Sequence, residues 1–198
     1  GVGLCVLSQP ILELLYSTFS HGLTAEEVMI AAPLLSVLGI ASIFVCIMLV
    51  CNAILQASGK LYLPILTMAI GSVAKIVVNR ALVGNPSINI NGAPIGTLVC
   101  FGLIAVLDLI IIGKTMPAAP NFVRVFAKPV IASVIMGAAA WGVYGLLHRF
   151  LGVTLSTAGA IVIAVVIYLI LVVVLRMISK DDLSLMPKGD KIGKILRL

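Results

Sequence analysis

A small set of polar side chains stands inside otherwise apolar stretches of this chain. In AIGSVAKIVVNRALVG, residues 69 to 84, Lys75, Asn79 and Arg80 interrupt a run of aliphatic residues, and Thr67, Gly71, Lys75 and Asn79 recur at intervals of four. On a helix that spacing aligns them along one stripe. An ammonium followed one turn later by an amide can hold an anionic oxygen group by charge and hydrogen bonds. Two carboxylates lie in similar surroundings, Glu13 in PILELL and Asp108 in AVLDLII. A lone carboxylate in such a place can hold an ion or pair with a basic side chain. Asp108 is therefore a candidate for ion binding or pairing. Glu13 and Arg80 are a candidate structural pair, because both lie toward the same end of their apolar segments.

The surroundings define the chemistry. The 198 residues are 62% hydrophobic and only 10% charged, and the mean hydropathy is +1.26, outside the range of soluble globular chains. A spanning helix needs roughly 20 mostly apolar residues. No Asp, Glu, Lys or Arg occurs between Glu27 and Lys60, between Lys128 and Arg149, or between Arg149 and Arg176. The sequence predicts an all-α, polytopic membrane helix bundle.

Several function classes are excluded on composition and motif. The net charge of +6 falls mostly in short loops and the C-terminal tail, where it faces anionic headgroups. There is no basic stripe with interleaved aromatics for nucleic acid. Cys5, Cys46, Cys51 and Cys100 all sit in apolar segments and read as reduced thiols. His21 and His148 lack metal-ligand spacing, so no metal site or other cofactor is expected. No Walker loop, HExxH or GxSxG occurs, and an enzyme is not expected. The apolar run starts at Gly1 without a charged leader region, so it does not read as a signal peptide. An upstream continuation is expected.

About six transmembrane helices are expected, at roughly 1–17, 25–58, 61–83, 93–112, 129–147 and 155–177, followed by a tail over 179–198. Gln9-Pro10 interrupts the first. Thr24 with Glu27 three residues later is a capping box opening the second. Pro33 permits a bend there, and SGK ends it. Pro64 falls in the first turn of the third, where its missing N–H costs nothing. NPSINING is a turn-forming loop. Lys75 then lies only about two to three residues, roughly 4 Å, from the midpoint of its span. At that depth a charge costs at least about 2.5 kcal/mol against lipid, so the stripe is expected to border a hydrated cavity. Ala138 with Gly142, and Ala160 with Ala164, are small-residue pairs expected to pack helices. Trp141 and Tyr144 suit packing or lipid contact. Asn52 and Gln56, four apart, suit hydrogen bonding across helices or an opening.

Lys60, Lys114, Arg124, Lys128 and the basic residues from Arg176 onward fall on one side of this arrangement. The opposite side receives the acidic 17–26 loop, the uncharged 85–92 loop, His148 and Arg149. The excess of Lys and Arg places the C-terminus in the cytoplasm of a multi-pass protein. The tail, with Ile192, Ile195 and Leu196 among lysines, suits a short helix on the membrane surface.

From CNAILQASGK through the proline-started helix carrying AKIVVNRALV, the loop NPSINING and the helix opening GAPIGT, the order of elements resembles the oligosaccharide-flippase family of the stage V sporulation protein B type. The tail DDLSLMPKGDKIGKILRL is similar to the end of that group, and the resemblance covers most of residues 10 to 198. It implies the multidrug/oligosaccharidyl-lipid/polysaccharide exporter superfamily, whose members have two lobes and work by alternating access. The chain would be the C-terminal lobe of such a MATE-like transporter in the bacterial cell membrane, its partners the N-terminal lobe, membrane lipids and a lipid-linked saccharide such as an undecaprenyl-linked peptidoglycan or polysaccharide precursor. Lys75 and Asn79, with Gly71 and Thr67, would border the substrate cavity. Pro129 to Leu147 and Leu155 to Met177 would border a groove for the polyprenyl tail. Two other readings stay open: a cation-coupled multidrug exporter, resting on Asp108, and a non-transporting structural membrane subunit whose stripe only packs helices.

Overall fold

The computed structural model describes residues 1–17, 24–115, 122–150 and 152–175. Among them the only regular elements are helices: α1 (Val2–Val6), α2 (Ser8–Ser17), α3 (Ala25–Ala57), α4 (Tyr62–Val83), a 3-10 turn (Asn89–Asn91), α5 (Gly92–Thr115), α6 (Phe122–Leu147) and α7 (Val153–Val174). Five of them, α3 to α7, are long and apolar enough to cross a membrane. The tail over 179–198, His21 and the side chain of Arg124 lie outside the described residues.

In the stretch expected as the first span, the described residues form two helices in place of one. The stretch divides into helices of 5 and 10 residues. Pro10 is the physical cause, because it has no N–H to offer the carbonyl four residues back, that of Val6, and its ring crowds that carbonyl. α1 ends at Val6.

α3 opens as the sequence predicts. The Thr24 backbone N–H donates to Glu27 Oε2 at 2.7 Å, and the Glu27 N–H donates to Thr24 Oγ1 at 3.4 Å. The helix runs unbroken through Pro33. It closes on a left-handed glycine: Gly59 has φ +75°, its N–H donates to the Gln56 carbonyl at 3.0 Å, and the Lys60 N–H donates to the Leu55 carbonyl at 3.0 Å. These two bonds satisfy carbonyls the helix itself cannot reach.

The chain divides into two compact units, residues 1–119 and 120–198. In the first, α3 and α4 both pack along α5, α1 and α2 lie on α3, and α3 and α4 touch each other little. Its core joins Met48 of α3 to Cys100 and Ile104 of α5, with Val45 and Phe101 packed against them. In the second, α6 packs against α7.

Here the expected start at Pro129 is corrected, since α6 begins at Phe122 and carries Pro129 inside it. A proline one to two turns in removes a single backbone bond, and the apolar face carries the helix across it. The contact uses Ala132, Gly137 and Ala140 of α6 and Ser156, Thr157, Ala160 and Ala164 of α7, all buried. Ala160 and Ala164 thus fall where the sequence places them. Ala138 and Gly142 are exposed instead. At the far end of α7, Lys128 Nζ donates to the Leu175 carbonyl oxygen at 3.1 Å, a cation on a helix C-terminus.

Outside these contacts the helices expose apolar side chains: Ile65 is 69% exposed, Ile76 67% and Leu155 65%. Such continuous apolar surface suits lipid, which needs no polar covering. The composition and the five long apolar helices are those of a multi-pass membrane protein.

Candidate functional site

The stripe on α4 meets a matching row on α5. Along α5, Gly92, Gly96, Cys100, Ile104, Asp108 and Ile112 recur every four residues and all are buried. The two rows run antiparallel. Gly92 lies beside Leu82 and Val83, Gly96 beside Asn79, and Gly71 beside Cys100 and Ile104; Lys75 is within electrostatic reach of Cys100, and Thr67 of Asp108. Rows at this spacing interlock when one side offers small residues. A Cβ on Gly71 would overlap the Ile104 side chain and come within 3.2 Å of the Cys100 carbonyl oxygen. One on Gly96 would overlap the Asn79 amide.

The stripe is therefore a packing seam over most of its length. Thr67 is 1% exposed and donates its hydroxyl hydrogen to the Pro64 carbonyl at 3.1 Å. Gly71 is buried, and Asn79 has a buried Oδ1 with no hydrogen-bond donor. Lys75, like Asn79, is only partly covered, and no carboxylate among the described residues pairs with it. Two surface clefts occur elsewhere. One of about 350 Å3 is lined by α3 residues including Met29, Pro33 and Val37 with Asn91 and Ile95, and one of about 540 Å3 by Trp141, Tyr144 and Arg149 with their neighbours. Neither includes a residue of the stripe.

Comparison with known proteins finds no matching family model, no matching curated protein and no matching solved structure. The residues themselves must carry the reading.

Asp108 is fully buried, with neither carboxylate oxygen hydrogen-bonded. Its neighbours are Thr67 of α4 and Cys51 of α3. Asn52, next to Cys51, is also buried, and its Oδ1 likewise has no donor. Gln56, one turn on, is exposed, so the two amides do not share an environment. Asp108 does not pair with Lys75. From Thr67, beside Asp108, to Lys75 is eight residues, or roughly 12 Å along the helix.

The expected Glu13–Arg80 pair is not formed. Glu13 instead accepts from Gln9 Nε2 at 2.9 Å. The two helices settle on different neighbours, α2 on α3 and α4 on α5. Among the described residues no group of three His, Cys, Asp or Glu side chains converges.

The α5 row was legible as Gly92 and Gly96 four apart, a small-residue spacing that sequence reasoning passed over. The approach of Cys51 to Asp108 had no such signal, because their helices are joined through α4 and lie far apart in sequence.

Proposed function

We propose that the chain is the C-terminal portion of a membrane flippase for lipid-linked saccharides, of the undecaprenyl-linked peptidoglycan or polysaccharide precursor class. One observation carries this reading: Lys75 is a cation deep within a span, partly open, and without a carboxylate among the described residues to neutralise it. A charge kept there at such cost serves a ligand or a water-filled path more readily than a packing role. A pyrophosphate would supply the missing countercharge. Asn79, held on Gly96, and the tight Gly71 contact would fix the height and direction of the helix that presents the amine. The order of sequence elements described above supports the same family, with a second lobe upstream and alternating access between lobes. The excess of Lys and Arg at one end of the helices supports a cell-membrane protein with its C-terminus in the cytoplasm.

The deciding experiment is Lys75→Gln, with Lys75→Arg as its conservative companion, in the protein carrying both lobes. Export of the lipid-linked precursor should fall at least tenfold for the glutamine variant at unchanged membrane abundance, with the arginine variant retaining part of the activity. Loss of folding in both would favour the structural-subunit reading instead.

A second reading has its own observation. Asp108 is a buried carboxylate without a hydrogen-bond partner, which suits ion coupling in a cation-driven multidrug exporter.

A further inference from the structure

The helix pair α6 and α7 carries cations and no acid: from Leu109 to Lys180 the sequence holds no Asp or Glu. Near one end Lys128 is engaged by the Leu175 carbonyl. At the other, Arg149 stands just past the apolar span Val125–Leu147, exposed, with no carboxylate among the described residues beside it. Nor is it needed to close α6. The carbonyls of Tyr144, Leu146 and Leu147 already accept from the backbone N–H groups of His148, Arg149 and Phe150. The next acids in the sequence, Asp181 and Asp182, follow the end of α7 that Lys128 contacts. The countercharge of Arg149 therefore comes from outside the helix pair. Around it lies the open cleft of about 540 Å3, shared with Trp141, Gly142, Tyr144 and Gly145. The glycines make the room, since a Cβ added to either would meet nothing within 4 Å. Trp141 is 70% exposed, and the Tyr144 ring is steadied by stacking on His148, 5.4 Å between centroids at 15°.

We infer that this cleft binds an anionic phospholipid, its phosphate on Arg149 and its glycerol backbone over Gly142 and Gly145. The planar guanidinium fork matches the geometry of a phosphate. The level is right for a headgroup. Lys128 and Arg149 lie roughly 30 Å apart along the helix, about the thickness of the hydrocarbon core, and Trp and Tyr gather at that boundary. Toward mid-span the same helix exposes Val134 and Ile135, an apolar path for an acyl chain. Charge selects among lipids. A choline headgroup would bring a second cation beside Arg149, and the helix pair has no acid to receive it. A glycerol headgroup leaves the phosphate its full charge. A soluble phosphate would meet the same guanidinium but leave the apolar path unused.

Trp141 is the only tryptophan in the chain, so its fluorescence reports on this cleft alone. The 198-residue chain is reconstituted in vesicles of phosphatidylcholine and phosphatidylglycerol, mixed alike in both leaflets. One lipid or the other carries brominated acyl chains, which quench an indole at close range. At equal mole fraction and fixed pH, brominated phosphatidylglycerol should quench with an apparent affinity about fivefold above that of brominated phosphatidylcholine. Arg149→Gln should bring the two lipids to parity, and Arg149→Lys should keep part of the preference. Gly145→Leu keeps the charge but fills the cleft, and it should also move the ratio toward parity.

Equal quenching by the two lipids in the unsubstituted chain overturns the proposal. A preference that survives in Arg149→Gln overturns it by placing the anion elsewhere, and one that survives in Gly145→Leu reduces it to diffuse surface charge. Displacement by inorganic phosphate overturns it by making the ligand a soluble one. No quenching by either lipid also overturns it, by showing this face covered by protein. Arg149 is exposed, so Arg149→Gln should keep its helix content by circular dichroism; if it does not, Arg149→Lys and Gly145→Leu carry the test. Failure of Lys75→Gln to affect export leaves this result untouched, since the cleft needs only a bilayer around the helix pair.

Discussion

The amide of Asn79 on α4 sits in the notch left by Gly96 on α5, so close that a single added methyl on the glycine would overlap it. This contact, with Gly71 against Ile104 two turns away, sets how near the two helices approach.

Replacing Gly96 by alanine should cost about 1–3 kcal/mol, the usual range for overpacking a tight contact. Asn79→Ala in the same chain should recover part of the loss, because it removes the group the methyl strikes. Thermal unfolding of the two single variants and the double variant measures the coupling. Strict additivity would show that the contact is not made.

Water access should differ along one helix face. A cysteine at Lys75 should react with a membrane-impermeant maleimide, whereas cysteines at Thr67 and Gly71 should be protected by α5. The comparison is made in a background with the four native cysteines replaced. Equal protection at all three positions would remove the open position on which the flippase reading depends.

At the start of α3, Thr24→Ala should lose the hydroxyl arm of the capping box, which accepts from the Glu27 N–H, while the backbone arm to Glu27 Oε2 stays, and destabilise the helix end by about 1 kcal/mol. Hydrogen exchange at the Glu27 amide should accelerate. Thr24→Ser keeps an oxygen at the same position and should leave exchange near that of the original chain.

In the second unit, Lys128→Met should free the Leu175 carbonyl and remove a cation from the C-terminus of α7, at about 0.3–1 kcal/mol. Arginine at the same position restores both the charge and a donor. Amide exchange in the last turn of α7 reads the difference.

The sequence by itself determined the helical membrane class, the edges of α3, α4 and α7 to within a few residues, the capping box and the end at SGK. These follow from local rules: charge-free length, caps, and glycine or proline at fixed offsets. The same rules located Lys75 near mid-span and Asp108 inside α5.

Tertiary structure decided what each polar residue faces. The stripe from Thr67 to Asn79 is legible as a row, but the row packs on α5 because Gly92, Gly96 and Cys100 supply a complementary surface at the same spacing. Lys75 and Asn79 stay partly covered, and Lys75 carries the charge. Glu13 and Arg80 match in depth along the sequence and still do not meet, since depth constrains one coordinate while packing fixes the other two. Pro10 coincides with a break between α1 and α2, whereas Pro129 lies within a 26-residue helix whose small face packs on α7. Thr67 and Asp108 come from two helices, and only the packing of α4 on α5 brings them together.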